Sequence, residues 1–286
     1  MPQEPQLTLP HTRGRGGARA GAGRPRSGKE YVPHRTRPGL SRDEPLLVTV
    51  RLVRPLPALR GRRPFEVVER AFRAANDSGG LRLVHYSVQR EHVHMIVEVR
   101  PEEAPGWVVP VEAGARRRTV ARLLTSRMRG FGVRLARRLN KLFHRRGRLV
   151  AERYHSRALR TPREVKNAIV YVLSNRRKHL AQVGRGFAGA WIDPFASGVF
   201  FGGWRHAPWR MTTYASHDPP PVVTPRTHLL RRGWLRHGPV DPSDVPAPWR
   251  APAPRSPSSN RADISAPRAT RPLNRADMRG ARRPAR

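Results

Sequence analysis

Residues 81–99 read LRLVHYSVQREHVHMIVEV, and their pattern decides the fold. Residues 81–89 and 92–99 are rich in branched and aromatic side chains, and only Arg90 and Glu91 separate the two runs. Two such runs joined by two residues predict a tight antiparallel hairpin. Side chains two apart on a strand share a face. Val93, Met95, Val97 and Val99 therefore form one face of the second strand, and His92 and His94 stand together on the other.

Upstream, residues 46–53 (LLVTVRLV) read as a strand. Residues 64–76 (PFEVVERAFRAAN) read as a helix with Phe65, Val68 and Phe72 at helical spacing, broken by Asp77, Ser78, Gly79 and Gly80. Downstream, a long helix is predicted over 119–143. Its apolar stripe is Val120, Leu123, Leu124, Met128, Phe131, Leu135, Leu139 and Leu142. Gly130 and Gly132 weaken its centre by about 1 kcal/mol each relative to alanine. Residues 149–159 (LVAERYHSRAL) read as a fourth strand or extended segment. Thr161, Pro162 and Glu164 carry the signature of a helix start, with threonine as N-cap and glutamate three residues on, and predict a helix over 162–178. The order strand, helix, strand, strand, helix, strand, helix predicts an α+β fold: a ferredoxin-like antiparallel sheet with helices on one face.

This core, placed at residues 43–180, sits in a very basic chain. Across 286 residues there are 57 Lys and Arg against 20 Asp and Glu, a formal charge of +37. Such an imbalance opposes folding, and a polyanionic partner accounts for it best; nucleic acid fits, because each neutralised phosphate releases counterions. No apolar stretch approaches the roughly 18–20 residues of a membrane-spanning helix, and the first residues lack the apolar core of a secretory signal, so a cytoplasmic, nucleoid-associated protein is expected. The absence of cysteine excludes disulfides, thiolate metal sites and a cysteine nucleophile. Residues 1–42 (Gly, Arg and Pro) and 216–286 (Pro and Arg) lack apolar periodicity and are expected to be disordered basic arms. Residues 181–215, rich in aromatics and glycine, are expected to pack on the domain as an extension.

Two signals carry chemistry. His92 and His94, on one strand face, can converge on a single metal ion, although two surface histidines would look the same. Tyr171 and Asn175, four apart in the last helix, share a face and can present a phenol and an amide to one site, although a helical tyrosine is also a common core residue. Arg116, Arg117, Arg118, Arg134, Arg137, Arg138, Arg145 and Arg146 offer a track for a DNA backbone, positioning it without reading sequence. Tyr154 and His155 lie nearby and suit either base stacking or packing.

Taken together, the hairpin with His-Val-His, the long basic helix and the helix with Tyr-x-x-x-Asn resemble the HUH endonuclease superfamily. Within it the sequence is most similar to single-tyrosine transposases of the REP-associated branch. The likeness rests on residues 84–99 (VHYSVQREHVHMIVEV), 153–179 (RYHSRALRTPREVKNAIVYVLSNRRKH) and, more loosely, 31–38 (YVPHRTRP). The chain departs from that pattern at Asn175-Arg176, where proline commonly follows the asparagine, and at the turn Gln89-Arg90-Glu91. The resemblance implies a divalent metal, Mg²⁺ or Mn²⁺, held by His92 and His94 with Asn175 in the place of a further ligand. It implies Tyr171 as nucleophile, a 5′-phosphotyrosine intermediate, and single-stranded or hairpin DNA as substrate. It leaves open a monomer or a homodimer. Two other readings stand beside it: a replication initiator or relaxase of the same superfamily, and a nonenzymatic nucleic-acid-binding protein.

Overall fold

The alternation of residues 81–99 becomes an antiparallel pair, β2 (Leu81–Val88) and β3 (His92–Val99), closed by a hydrogen bond from the Gln89 amide to the His92 carbonyl at 2.9 Å. The structure is a computed structural model and describes residues 39–108, 110, 112–185, 190–206 and 219–246. On the other side of β3 lies β1 (Leu46–Arg51), and β4 (His155–Ala158) flanks β1. Among the described residues these form a four-stranded antiparallel sheet in the order β2-β3-β1-β4, the ferredoxin-like order expected from the sequence. The pairing of β2 with β3 shifts register between Leu83 and His85. Leu81, Leu83, Tyr86 and Val88 consequently all serve one core, while Val84 turns to the other.

α1 (Arg62–Asp77) and α2 (Ala113–Leu142) cover the first face, bringing Phe65, Phe72, Leu124, Phe131 and Leu135 onto Val48, Tyr86, Val93, Met95 and Val97. Phe72 stacks on Phe131 at 5.6 Å between ring centroids. The Tyr86 hydroxyl, buried among them, donates to Glu69 Oε1 at 3.2 Å. α2 starts at Ala113, six positions before the 119 expected from its apolar stripe, because the residues 113–118 extend it as a basic first turn and a half with little core contact.

Helices on one face only were expected, and the structure corrects this: α3 (Pro162–Leu173) lies on the opposite face. Leu47, Val84 and Ile96 point that way and form a second apolar patch, which Val165, Ala168, Ile169 and Val172 of α3 cover. α3 begins with the predicted capping box, Thr161 Oγ1 accepting from the Glu164 amide at 3.2 Å and Glu164 Oε2 from the Thr161 amide at 3.2 Å. The single helix expected over 162–178 is two. Ser174 leaves helical geometry at φ −106°, ψ 15°, and α4 (Asn175–Gln182) follows.

The expectation of a disordered tail from residue 216 fails over residues 219–246. α5 (His228–Arg231) and a 3₁₀ turn at Gly233–His237 bury Leu230 and Trp234 against the outer side of α3. Their anchor is Glu98 on β3, fully buried. Its carboxylate accepts from the amides of Arg226 and Thr227, the latter at 2.7 Å, and from the Thr227 hydroxyl at 2.8 Å. Residues 190–206 of the expected extension prolong the sheet edge: the Val88 amide donates to the Phe195 carbonyl at 2.8 Å, and Arg60 grips Asp193 through two hydrogen bonds at 2.7 and 2.8 Å. The expected arm lies outside the described residues up to 38, as does the tail beyond 246. Among the described residues, no helix is long and apolar enough to cross a membrane.

Glu98→Ala strands the Arg226 and Thr227 donors and is expected to cost about 3 kcal/mol, since each buried unpaired group costs roughly 1–3. Hydrogen exchange should then quicken through residues 226–235 while β2 and β3 keep their protection. Unchanged exchange in 226–235 would show that Glu98 does not anchor this segment.

Candidate active site

The second apolar patch stops short of one end of the sheet. There β3 presents His92 and His94, β1 presents Thr49 and Arg51, and α3 delivers Tyr171 over them. These residues line a cavity of about 620 Å³ whose rim adds Arg54, Glu91, Glu152 and His179. Register fixes the floor: Thr49 pairs with His94 and Arg51 with His92 across the β1–β3 ladder. Helical phase fixes the roof, because Val165, Ile169 and Val172 point into the second core and so turn Tyr171 toward the sheet end.

His94 sits at the centre. Its Nδ1 lies 2.9 Å from Thr49 Oγ1 and its Nε2 lies 3.3 Å from the Tyr171 hydroxyl. The His92 and His94 rings are 4.7 Å apart, and the His94 and Tyr171 rings 4.9 Å. Asn175 is buried at 1% exposure; its side chain hydrogen-bonds Tyr171 through the amide nitrogen, and its Oδ1 has no hydrogen-bond partner. Lys178 places its ammonium 5.4 Å from the centre of the Tyr171 ring.

The electrostatics follow from burial beneath basic groups. Burial, then the charges of His179, Arg51 and Arg54, pushes His92 down to about 4. Burial, then His92, His179, Lys178 and Arg51, pushes His94 down to about 3. Both imidazoles are therefore neutral at pH 7, the form that donates a lone pair to a metal. Tyr171 moves the other way: burial raises its hydroxyl above the usual tyrosine value, opposed by the Asn175 hydrogen bond and the charge of Arg51. The basic surroundings do not outweigh desolvation, and Tyr171 is a neutral phenol here.

The structure brings together His92, His94, Tyr171 and, behind Tyr171, Asn175. It does not bring the arginines singled out in the sequence to this cavity. Arg116, Arg117, Arg118, Arg134, Arg137 and Arg138 belong to α2, on the opposite face of the sheet, and Arg145 and Arg146 follow it; none lines the site. Arg51 and Arg54 take that place. They were hidden because strand arginines give no helical stripe to read. His179 was also missed, although it stands eight residues after Tyr171 at helical spacing, with its ring 6.3 Å from that of His92. Tyr154 and His155 are not in the cavity lining; the Tyr154 hydroxyl lies 3.3 Å from Thr125 Oγ1.

The donor set suits a divalent cation: two neutral imidazoles on one strand face, with the unpartnered Asn175 oxygen buried close behind Tyr171. Among the described residues no group of three or more histidine, cysteine, aspartate or glutamate side chains is placed to hold a metal ion.

No family model matches the sequence, and no curated protein matches it. Among solved structures the chain is similar to a REP-associated tyrosine transposase bound to a REP hairpin, with a TM-score of 0.41 and 13% identity over 59% of this chain and 84% of that one. A likeness of that extent is one of coarse outline.

Proposed function

We propose that this chain cleaves and rejoins single-stranded DNA through a covalent bond between Tyr171 and a 5′ phosphate, as a transposase of hairpin-bearing elements. One observation carries the reading: β3 and α3 independently bring His94 Nε2 and the Tyr171 hydroxyl to 3.3 Å in an open cavity floored by His92. A phenol against neutral imidazoles, beside Arg51 and Arg54 that are paired with Glu152 and Glu91, suits a phosphodiester able to take over those guanidiniums.

With His94 Nδ1–H donating to Thr49 Oγ1, Nε2 presents its lone pair to the Tyr171 hydroxyl. The hydroxyl donates to Nε2 and accepts from the Asn175 amide, which fixes its direction and favours the phenolate. Arg54, paired with Glu91, and Arg51, 3.8 Å from Glu152, would exchange these carboxylates for the incoming phosphate. The Tyr171 oxygen bonds to phosphorus as the bond from phosphorus to the 3′ oxygen breaks; the phenol loses its proton and the departing 3′ oxygen gains one. Attack by a 3′ hydroxyl on the phosphotyrosine reverses the step, so the bond energy is conserved and no nucleotide is consumed. Mg²⁺ or Mn²⁺ would be held by His92 and by the His94 Nε2 lone pair, which would then no longer accept from Tyr171, with Asn175 as a candidate third donor, and would supply charge neutralisation at the phosphoryl oxygen. The arginines of α2 would hold flanking DNA on the far face.

Incubation with labelled single-stranded DNA from the flanks of the gene, with Mn²⁺, is expected to yield a covalent protein–DNA band on a denaturing gel. Tyr171→Phe and EDTA should each abolish it, and Asn175→Ala should slow it about tenfold or more, the loss of one hydrogen bond to a charged oxygen. Retained DNA binding with no band under any condition would overturn the reading.

Metal binding has its own readout. Mn²⁺ at about a hundred times its Kd should raise the melting temperature by roughly 5–10 °C. His92→Ala should melt at the same temperature with and without Mn²⁺; an equal rise in both would place the metal elsewhere.

On the far face, Arg137→Ala with Arg138→Ala should flatten the dependence of log K on log salt by about 1.4, if each contacts one phosphate of a single strand. An unchanged slope would remove α2 from the DNA path.

A further inference from the structure

A groove of about 490 Å³ lies between α2 and the chain that leads into β4. Its volume lies within the roughly 300–1,000 Å³ range of small-molecule pockets. Met128, Phe131 and Val150 make its floor apolar. Tyr154 stands on its wall, held by the contact of its hydroxyl with Thr125. Arg129, Arg148 and Arg153 surround the opening. Arg148 is tied back to the carbonyls of Val150 and Ala151, to the first at 2.6 Å, which stiffens that wall.

Two further features point to an occupant. Glu152 lines this groove and also the cavity of His92, His94 and Tyr171, so the two share a wall at the sheet edge. Gly132 lies mid-helix at the groove, where glycine costs about 1 kcal/mol relative to alanine. A Cβ there would meet Val150 Cγ2 at 3.7 Å, an ordinary contact, and nothing else within 4 Å. The fold has no need of glycine at this position, and its backbone lines the groove.

We infer that this groove binds one unstacked base of the single strand whose phosphate lies at Tyr171, an inference that rests on the function proposed above. An apolar slot with an aromatic wall receives the flat, apolar faces of a base, and arginines at its mouth meet the phosphates on either side. The wall shared through Glu152 puts the base near the scissile phosphate, around the sheet edge. Duplex DNA does not fit, because its bases are stacked and paired. A base held there draws the strand across the edge of the sheet, from the α2 side to the Tyr171 side.

Gly132→Leu plugs the groove and improves the helix, so it should fold; Gly132→Ala leaves room and serves as the control. Binding is measured with two probes of equal charge: a twelve-nucleotide oligothymidylate and a twelve-unit strand of abasic residues. The native protein should prefer the thymidylate by at least about fivefold, from stacking. Gly132→Leu should abolish that preference while leaving the abasic strand bound as before, and Gly132→Ala should keep it. If Gly132→Leu retains the preference, or weakens both strands equally, the groove is not a base site. Formation of the Tyr171 adduct is scored separately. An adduct in the native protein with no base preference defeats this inference alone, whereas a groove-dependent preference with no adduct defeats the catalytic reading and leaves a single-strand binding pocket.

Discussion

A strand with apolar side chains on both faces has to be covered twice, and β3 is such a strand. Val93, Met95, Val97 and Val99 face α1 and α2, while Ile96 on the other side calls for α3. The cover on that second face is incomplete, and the gap is the candidate site. On this face α3 lies over Ile96, and toward the sheet end His92 and His94 line the cavity beneath Tyr171. Glu98, on the same face as the histidines, finds its partners in residues 226 and 227. The strand thus carries, in alternate positions, half of the main core, the floor of the cavity and the anchor of residues 226–235.

The site gathers positive charge and yet keeps its histidines neutral. Arg51, Arg54, Lys178 and His179 all disfavour a second cation on the imidazoles, and burial acts in the same direction. Each pKa unit corresponds to about 1.4 kcal/mol between protonation states. For Tyr171 these influences oppose one another: Arg51 and Asn175 favour the phenolate, burial disfavours it more, and the proton stays. The same surroundings therefore hold ready lone pairs on nitrogen and a protonated phenol.

Local signals were readable because they are local. The hairpin at residues 81–99 and the capping box of α3 depend on neighbours within a few positions, and both appear as expected. The strand order followed from the succession of elements. Less legible were features set by distant partners. Leu47 and Val84 look like ordinary strand residues, yet with Ile96 they place α3 on the opposite face. Residues 219–246 carry proline, arginine and few apolar side chains, and what orders them is a carboxylate more than a hundred residues upstream, accepting backbone hydrogens that no side-chain pattern reveals. In the site, His92, His94 and Tyr171 stood out by spacing. Arg51, Arg54 and His179 did not, since only the cross-strand register and the bend at Ser174 bring them to the cavity rim.

The capping box gives α3 a fixed origin. From Thr161, each residue turns the helix by about 100° and advances it by 1.5 Å. Adding or deleting one residue between Thr161 and Tyr171 would swing the phenol off the sheet, and the same change within β3 would carry the histidines into the apolar core. Point substitutions leave both measures intact. The cavity is thus fixed by residue spacing in two short stretches, one in β3 and one between Thr161 and Tyr171.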